Sequence, residues 1–261
     1  MAKTQRVDQL LVKRGIAIDL DEARRLVMAG KVLLEGQLIF APSQKVSPDG
    51  KLQLAPQAAF VSRGGEKLQA AFEAFKISVE KLVCADVGAS TGGFTDCLLQ
   101  HGAARVYAVD VGYGLLDWTL RKDPRVIVLE RTNARTLGRL PERVDFITAD
   151  VSFISLKMIL PSLADWYSSR GGEAVLLVKP QFEATREESA QTAGVISNPK
   201  IHKRVLLEVL EFATSKGFET QGIIRSPLKG PAGNQEFLAW LRYRVENLDR
   251  EGLLEKINLL F

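Results

Sequence analysis

Cysteine, histidine and long apolar runs are all scarce in this sequence, and each scarcity excludes a class of protein. Two cysteines, Cys84 and Cys97, among 261 residues are too few for a disulfide framework or a structural zinc site. They read as small buried hydrophobes, and no metal is expected. The two histidines, His101 and His202, adjoin no strand end and are read as structural. No stretch approaches the roughly 20 apolar residues of a membrane helix, and no run of alternating residues suggests a lipid-facing barrel. The opening Met1-Ala-Lys-Thr-Gln-Arg-Val-Asp has no apolar core behind its charges, so no secretory signal is expected and the protein is placed in the cytoplasm without a membrane partner. Strong charge is missing too. The net charge is +4; residues 1–60 hold nine Lys or Arg against six Asp or Glu, a net of +3, which leaves +1 for the remainder. A mildly basic module thus precedes a nearly neutral one, an arrangement that suits nucleic-acid attachment at one end and chemistry at the other.

What is present is an ordinary globular composition, 46% hydrophobic, organised around Leu82-Val-Cys-Ala-Asp-Val-Gly-Ala-Ser-Thr-Gly-Gly-Phe-Thr-Asp-Cys97. An apolar run of buried-strand length, Leu82 to Ala85, meets Asp86. Then come a turn rich in glycine (Gly88, Gly92, Gly93, with Ala89, Ser90 and Thr91 between) and a helix start. Such glycines let the backbone turn tightly and leave no Cβ where a ligand lies against the chain. A second strand, Arg105 to Val109, ends in Asp110-Val111, and an acidic residue there holds ribose hydroxyls in nucleotide-binding units. The pattern is neither Gly-x-Gly-x-x-Gly nor a triphosphate loop ending in Gly-Lys-Ser/Thr. Asp86 would repel a pyrophosphate but suits a sulfonium and an amino group. S-adenosylmethionine is therefore the favoured ligand from these residues, with a nicotinamide or flavin dinucleotide next and a plain glycine turn last.

Upstream, residues 6–14 and a stretch capped by Asp19 or Asp21 read as two amphipathic helices closed by Gly15 and Gly30. Short β-like runs follow at 31–34, 37–39 and 51–54. Residues 55–62 read as a linker. A helix with Lys67 in its first turn comes next; a cation there opposes the helix dipole. Further strands are expected at 125–129, 144–149 (ending at Asp150-Val151) and 173–178 (ending at Lys179). Helices are expected at 156–167 and 201–216, and an antiparallel hairpin at 218–225 and 236–244. Strands alternating with helices mean a doubly wound, mostly parallel sheet, with ligands outside the carboxyl ends of the strands. Asp86, Asp110, Asp150 and Lys179 are all read at such ends.

Two resemblances follow from these motifs. Arg6-Val-Asp-Gln-Leu-Leu and Asp21-Glu-Ala-Arg-Arg-Leu-Val-Met-Ala-Gly-Lys-Val-Leu-Leu-Glu-Gly resemble the S-four-like RNA-binding domain, which implies RNA contacts by Arg6, Arg24, Arg25 and Lys31. Ser62-Arg-Gly-Gly-Glu-Lys-Leu, the glycine turn, Asp110-Val-Gly-Tyr-Gly, Asp150-Val-Ser-Phe-Ile-Ser, Val178-Lys-Pro-Gln-Phe-Glu and Gly230-Pro-Ala-Gly-Asn-Gln-Glu-Phe closely resemble the TlyA family, with an FtsJ-like catalytic domain. The resemblance implies an α/β, Rossmann-like S-adenosylmethionine-dependent methyltransferase sheet over residues 61–261 and a small α+β RNA-binding domain over 1–60. It implies a ribose 2′-hydroxyl of ribosomal RNA as acceptor, a cytidine in the best-known members, with ribosomal subunits as partners. It also implies a catalytic tetrad that falls on Lys67, Asp150, Lys179 and Glu236. The donor site would be Asp86, Gly88 to Gly93, Asp110, Val111, Asp150 and Val151. Lys179 is taken as the central residue, with its protonation state open, because a lysine is a base only when neutral, a form that burial and a second cation favour. Ser152 and Phe153 are read as shaping the acceptor pocket. The family also carries haemolysin names, so a membrane-active protein and a non-catalytic ribosome assembly factor stand as alternatives. The oligomeric state stays open, with a monomer favoured.

Overall fold

Two apolar patterns dominate the chain, short helical stripes before residue 55 and all-buried strand runs after residue 82, and they build two separate cores. The computed structural model describes residues 4–55, 59–244 and 253–261; residues 56–58 of the expected linker lie outside that range. The described residues up to Ala59 form one compact unit and those from Phe60 onward a second.

In the first unit, β1 (Gln5–Arg6) pairs with β4 (Lys45–Val46), and β2 (Val32–Leu34) lies between β3 (Gln37–Leu38) and β5 (Leu52–Leu54). Helices α1 (Val7–Lys13) and α2 (Leu20–Met28) cover this framework. Asp19 caps α2 by accepting from the Glu22 N–H, and Gly30 follows with φ +64°. Val7, Leu10, Leu11, Ala23 and Val27 are buried together with Val32 and Leu52.

The second unit begins with α3 (Gly64–Phe75). It continues through β6 (Val83–Val87), α4 (Gly93–Gln100), β7 (Arg105–Val109), α5 (Trp118–Lys122), β8 (Val126–Leu129) and β9 (Phe146–Ala149). After α6 (Leu160–Ala164) come β10 (Gly172–Val178), α7 (Pro180–Glu183), α8 (Arg186–Gln191) and α9 (Pro199–Ser215). The unit closes with β11 (Phe218–Arg225), β12 (Phe237–Tyr243) and α10 (Leu253–Asn258). The seven strands run in the order β11-β12-β10-β9-β6-β7-β8, parallel except for β12, which is antiparallel to both neighbours. Leu156, Leu160, Val205 and Val209 fill one face of the sheet, and Leu68, Phe72, Phe94 and Leu98 the other. Burial on both faces explains why the central strands read as continuous apolar runs.

The chain winds outward from β6 through β7 to β8, then crosses back to β9 on the other side of β6. The crevice at the carboxyl ends of β6 and β9 is thus the switch point where such sheets bind ligands. The expected hairpin forms, but β12 inserts between β10 and β11. Because β12 runs antiparallel, its amino end lies at the carboxyl end of β10, with Phe237 opposite Val178, and this puts Glu236 beside Lys179. Two expectations are corrected. The helix expected over 156–167 is a 3₁₀ turn, Leu156–Met158, followed by α6, because Pro161 supplies no N–H and its ring crowds the carbonyl four residues earlier. The first strand runs on through Val87, so Asp86 lies inside it, opposite Thr148 and Ala108, and not at its end.

Candidate active site

The glycine turn after β6 adopts left-handed backbone at Gly88 (φ +81°) and Gly92 (φ +96°). A Cβ on Gly88 would stand 2.5 Å from the Asp150 carbonyl oxygen, and one on Gly92 2.2 Å from Leu120 Cδ1. The room these residues leave is therefore taken first by the chain itself, not by a ligand. Gly88 lets the loop after β9 pass, and Gly92 lets α5 close on the turn.

Two cavities flank this turn. One, of 310 Å³, is lined by Ala89, Thr91 and Gly93 of the turn, by all four tetrad residues, by Ser62 to Gly64 and by Leu228, Lys229 and Pro231. The other, of 510 Å³, is lined by Asp110, Val111, Leu115, Thr132, Asn133, Val151 and Phe153. Gly88, Ser90, Asp150 and Ser152 line both, so the cavities meet at the ends of β6 and β9. Gly92 lines neither. The loops at 62–64 and 228–231 and the pair Thr132-Asn133 were not singled out as site residues from sequence. Residues 62–64 and Pro231 lie in family motifs; Leu228, Lys229 and Thr132-Asn133 lie in none.

Asp110 is half-buried. Its Oδ2 accepts from the Ser90 N–H at 2.8 Å and its Oδ1 from the Gly112 N–H at 2.6 Å. It therefore fastens the glycine turn to the loop after β7 while keeping lone pairs directed at the larger cavity.

Asp86 departs from expectation. It is fully buried and lines neither cavity; its carboxylate accepts from Thr95 Oγ1 at 2.7 Å and Thr148 Oγ1 at 3.0 Å. It pins α4 to β9 beneath the turn. Burial pushes its pKa from 3.8 up to about 7, against the two hydroxyl bonds that pull it down. A carboxyl whose folded pKa is raised contributes its full share of stability below the unfolded value and loses it as pH rises through the folded one. Asp86→Asn keeps the shape and both hydroxyl partners but cannot ionise. Urea unfolding should therefore show the wild type losing ground to Asp86→Asn between about pH 4 and about pH 7, by roughly 4 kcal/mol in all. Parallel stability curves for the two proteins over that range would show that Asp86 does not titrate there.

Around the smaller cavity two lysine–carboxylate pairs form. Lys179 Nζ lies 2.6 Å from Asp150 Oδ1, an ion pair whose angle makes no hydrogen bond, and donates to Ser152 Oγ at 2.8 Å. Lys67 Nζ donates to Glu236 Oε2 at 2.6 Å, which gives the cation in the first turn of α3 its anionic partner. The short helix after Lys179 ties these groups together. Gln181 Nε2 donates to Glu236 Oε1 at 3.1 Å. Glu183 accepts from Ser155 Oγ at 2.5 Å and the Leu156 N–H at 2.7 Å, locking the loop that carries Asp150 and Ser152; its burial raises its pKa. Phe153 is 91% exposed at φ +65°, with its ring 5.1 Å from that of Phe182. Glu183 and Gln181 carried no sequence signal of their own beyond standing in the motif that begins at Val178.

The histidines take structural places. His101 Nε2 bonds Gln69 Oε1, and His202 Nε2 bonds the Ile196 carbonyl. Cys84 and Cys97 are buried free thiols.

In the first unit the four basic residues expected to contact RNA are not equivalent. Arg6 and Arg24 both reach the buried Asp8 carboxylate, at 2.6 and 3.5 Å, and Arg6 holds its pKa below the ordinary value. Arg25 and Lys31 are exposed, and no ion pair among the described residues engages either.

Two family models match the chain. The FtsJ-like methyltransferase family matches residues 60–243 and the S4 domain family residues 5–51. The 16S/23S rRNA (cytidine-2′-O)-methyltransferase TlyA of Mycobacterium tuberculosis is 46% identical, over 99% of this chain and 97% of its own length. Hemolysin A of Brachyspira hyodysenteriae is 37% identical over 90% of this chain and 98% of its own. A solved structure from Streptococcus thermophilus, named as a candidate haemolysin, is 41% identical and superposes with a TM-score of 0.74 over 99% of this chain and 96% of that one. For all the haemolysin names, no helix among the described residues is long and apolar enough to cross a membrane. With the FtsJ-like model matched over residues 60–243 and 46% identity to TlyA over 99% of its length, the chain belongs to the FtsJ-like methyltransferase family, as a TlyA-type member with an S4 domain ahead of its sheet.

Proposed function

We propose that this protein transfers the methyl group of S-adenosylmethionine to a ribose 2′-hydroxyl of ribosomal RNA, in the cytoplasm, with a cytidine as acceptor. The observation that carries the reading is the junction of the two cavities at Gly88 and Asp150, with Lys179 and Lys67 on the far side. The larger cavity suits the donor. Asp110 offers carboxylate lone pairs to a ribose diol, Val111, Leu115 and Ile159 offer apolar walls to a purine, and no cation stands there to meet a pyrophosphate. When bound, S-adenosylmethionine supplies an electrophilic methyl on a sulfonium.

The chain's own residues do the rest. Asp150 and Ser152 aim Lys179 into the smaller cavity, where its Nζ orients the 2′-oxygen and offsets the negative charge that oxygen gains as its proton passes to solvent water, while the methyl–sulfur bond breaks and the methyl–oxygen bond forms. Lys67, fixed by Glu236 and through it by Gln181, adds a second positive charge at the same cavity. Ser152 lines both cavities and so borders the acceptor, whereas Phe153, expected to shape the acceptor pocket, lines only the larger cavity. In the first unit, Arg25 and Lys31 serve as phosphate contacts, and Arg6 and Arg24 shape the helix pair around Asp8.

Incubation with labelled S-adenosylmethionine and unmethylated ribosomal subunits should place label on a ribose 2′-oxygen; label on a base, or none, would reject the reading. Asp110→Ala should weaken S-adenosylmethionine binding about ten- to a hundred-fold, the worth of a charge-assisted hydrogen bond. Calorimetry giving wild-type affinity would move the ribose elsewhere in the cavity.

A further inference from the structure

The segment between β7 and β8 holds two large rings out to solvent. Tyr113 is 67% exposed and Trp118 64%, and neither lines a cavity. Isolated exposed hydrophobics are ordinary, but each of these rings has a cation over one face. Arg131 lies 4.3 Å from the Tyr113 centroid and Lys122 Nζ 4.7 Å from that of Trp118.

The frame beneath them is fastened at several points. The Asp117 N–H donates to the Thr91 carbonyl and the Arg131 N–H to that of Gly112. The Gly114 N–H donates to Glu130 Oε1 at 2.8 Å, and Arg121 pairs with Glu130 at 2.5 Å. Leu116 and Leu120 fill the space above Gly92. The rings thus ride on a segment bonded to Thr91, itself a lining residue of the smaller cavity. Little order remains to be gained on binding, which is what a preformed contact surface needs.

We propose that Tyr113 and Trp118 are stacking platforms for unpaired bases that flank the acceptor nucleotide, with Arg131 and Lys122 taking the adjoining phosphates. This rests on the methyl-transfer reading above. The open face of each ring accepts any base, and the cation over the other face matches the phosphate that each base brings with it. Two cations beside two open rings suit a polyanion that carries bases, and the acceptor of the methyl-transfer reading is one. The donor is not the occupant, because from this segment only Asp110, Val111 and Leu115 line its cavity, and neither ring does.

The test uses the full chain and unmodified transcribed ribosomal RNA. Of the three tryptophans, Trp166 is buried and Trp240 half-buried, so stacking at Trp118 should quench the open part of the intrinsic fluorescence. Trp118→Leu should abolish that quench and weaken RNA binding about five- to a hundred-fold. Tyr113→Leu should weaken it similarly, and Trp118→Phe should restore most of the affinity without the signal. S-adenosylmethionine affinity should stay at the wild-type value throughout. Wild-type RNA affinity in Trp118→Leu, or quenching that persists in it, overturns the proposal. So does concentration-dependent dimerisation lost in Trp118→Leu, which would assign the face to a second copy of the chain. Failure of the methyl-transfer reading shows separately, as wild-type protein that leaves no label on the RNA.

Discussion

Lys179→Ala should cut single-turnover methyl transfer by about 10²- to 10⁴-fold, the usual contribution of a side chain that handles a reacting proton or its charge, and leave S-adenosylmethionine affinity within about three-fold of wild type. Burial decides why this lysine is the informative one. Its partner Asp150 has a side chain 22% exposed, so removing the cation leaves a carboxylate that water still reaches. Lys67 is a poorer probe, since its partner Glu236 is 2% exposed; stranding that charge would cost about 3 to 5 kcal/mol and mix catalysis with unfolding. Lys179→Ala with transfer within three-fold of wild type would remove the residue from the mechanism. A large drop in donor affinity would instead make Lys179 part of the donor site.

A fragment beginning at Ala59 should keep S-adenosylmethionine binding and lose most of its affinity for ribosomal RNA. Every residue lining either cavity lies beyond that point. The start must precede Phe60, because Phe60 packs on Gly65 and the Val61 N–H donates to Asp96. On duplex-like RNA each phosphate contact steepens the log affinity against log salt by about 0.9. Loss of Arg25 and Lys31 alone should flatten the slope by about two; a change near four would mean that Arg6 and Arg24 leave Asp8 to take phosphates as well. Equal affinity and equal slopes for fragment and full chain would show that the S4 domain is not the RNA anchor.

Local pattern made much of this legible. β7 and β11 run as read, since strand length and burial depend on residues a few positions apart. Asn198 and Pro199 mark the start of α9 as expected, because a cap acts through its own helix turn. Lys67, Asp150, Lys179 and Glu236 were implied together by the family resemblance of the motifs around them, and all four line one cavity. No local signal told Asp86 from Asp110. Both are acidic residues near a strand's end, yet one is sealed between two threonines and the other opens on a cavity.

What only the tertiary structure decided is which distant groups meet. Lys67 finds Glu236 across 169 positions of chain, and the two can touch only because β12 enters the sheet between β10 and β11, a choice settled by the packing of both sheet faces and not by either strand. The same holds for Arg6 and Arg24, which share Asp8 once α1 and α2 pack together. Residue type and spacing thus determined the elements, their order and the kind of chemistry, because those depend on interactions within a few residues. Strand order, burial and charge pairing, on which the depth of Asp86 and the joining of the two lysine pairs around one cavity depend, were decided by contacts among parts of the chain that carry no information about one another until they fold.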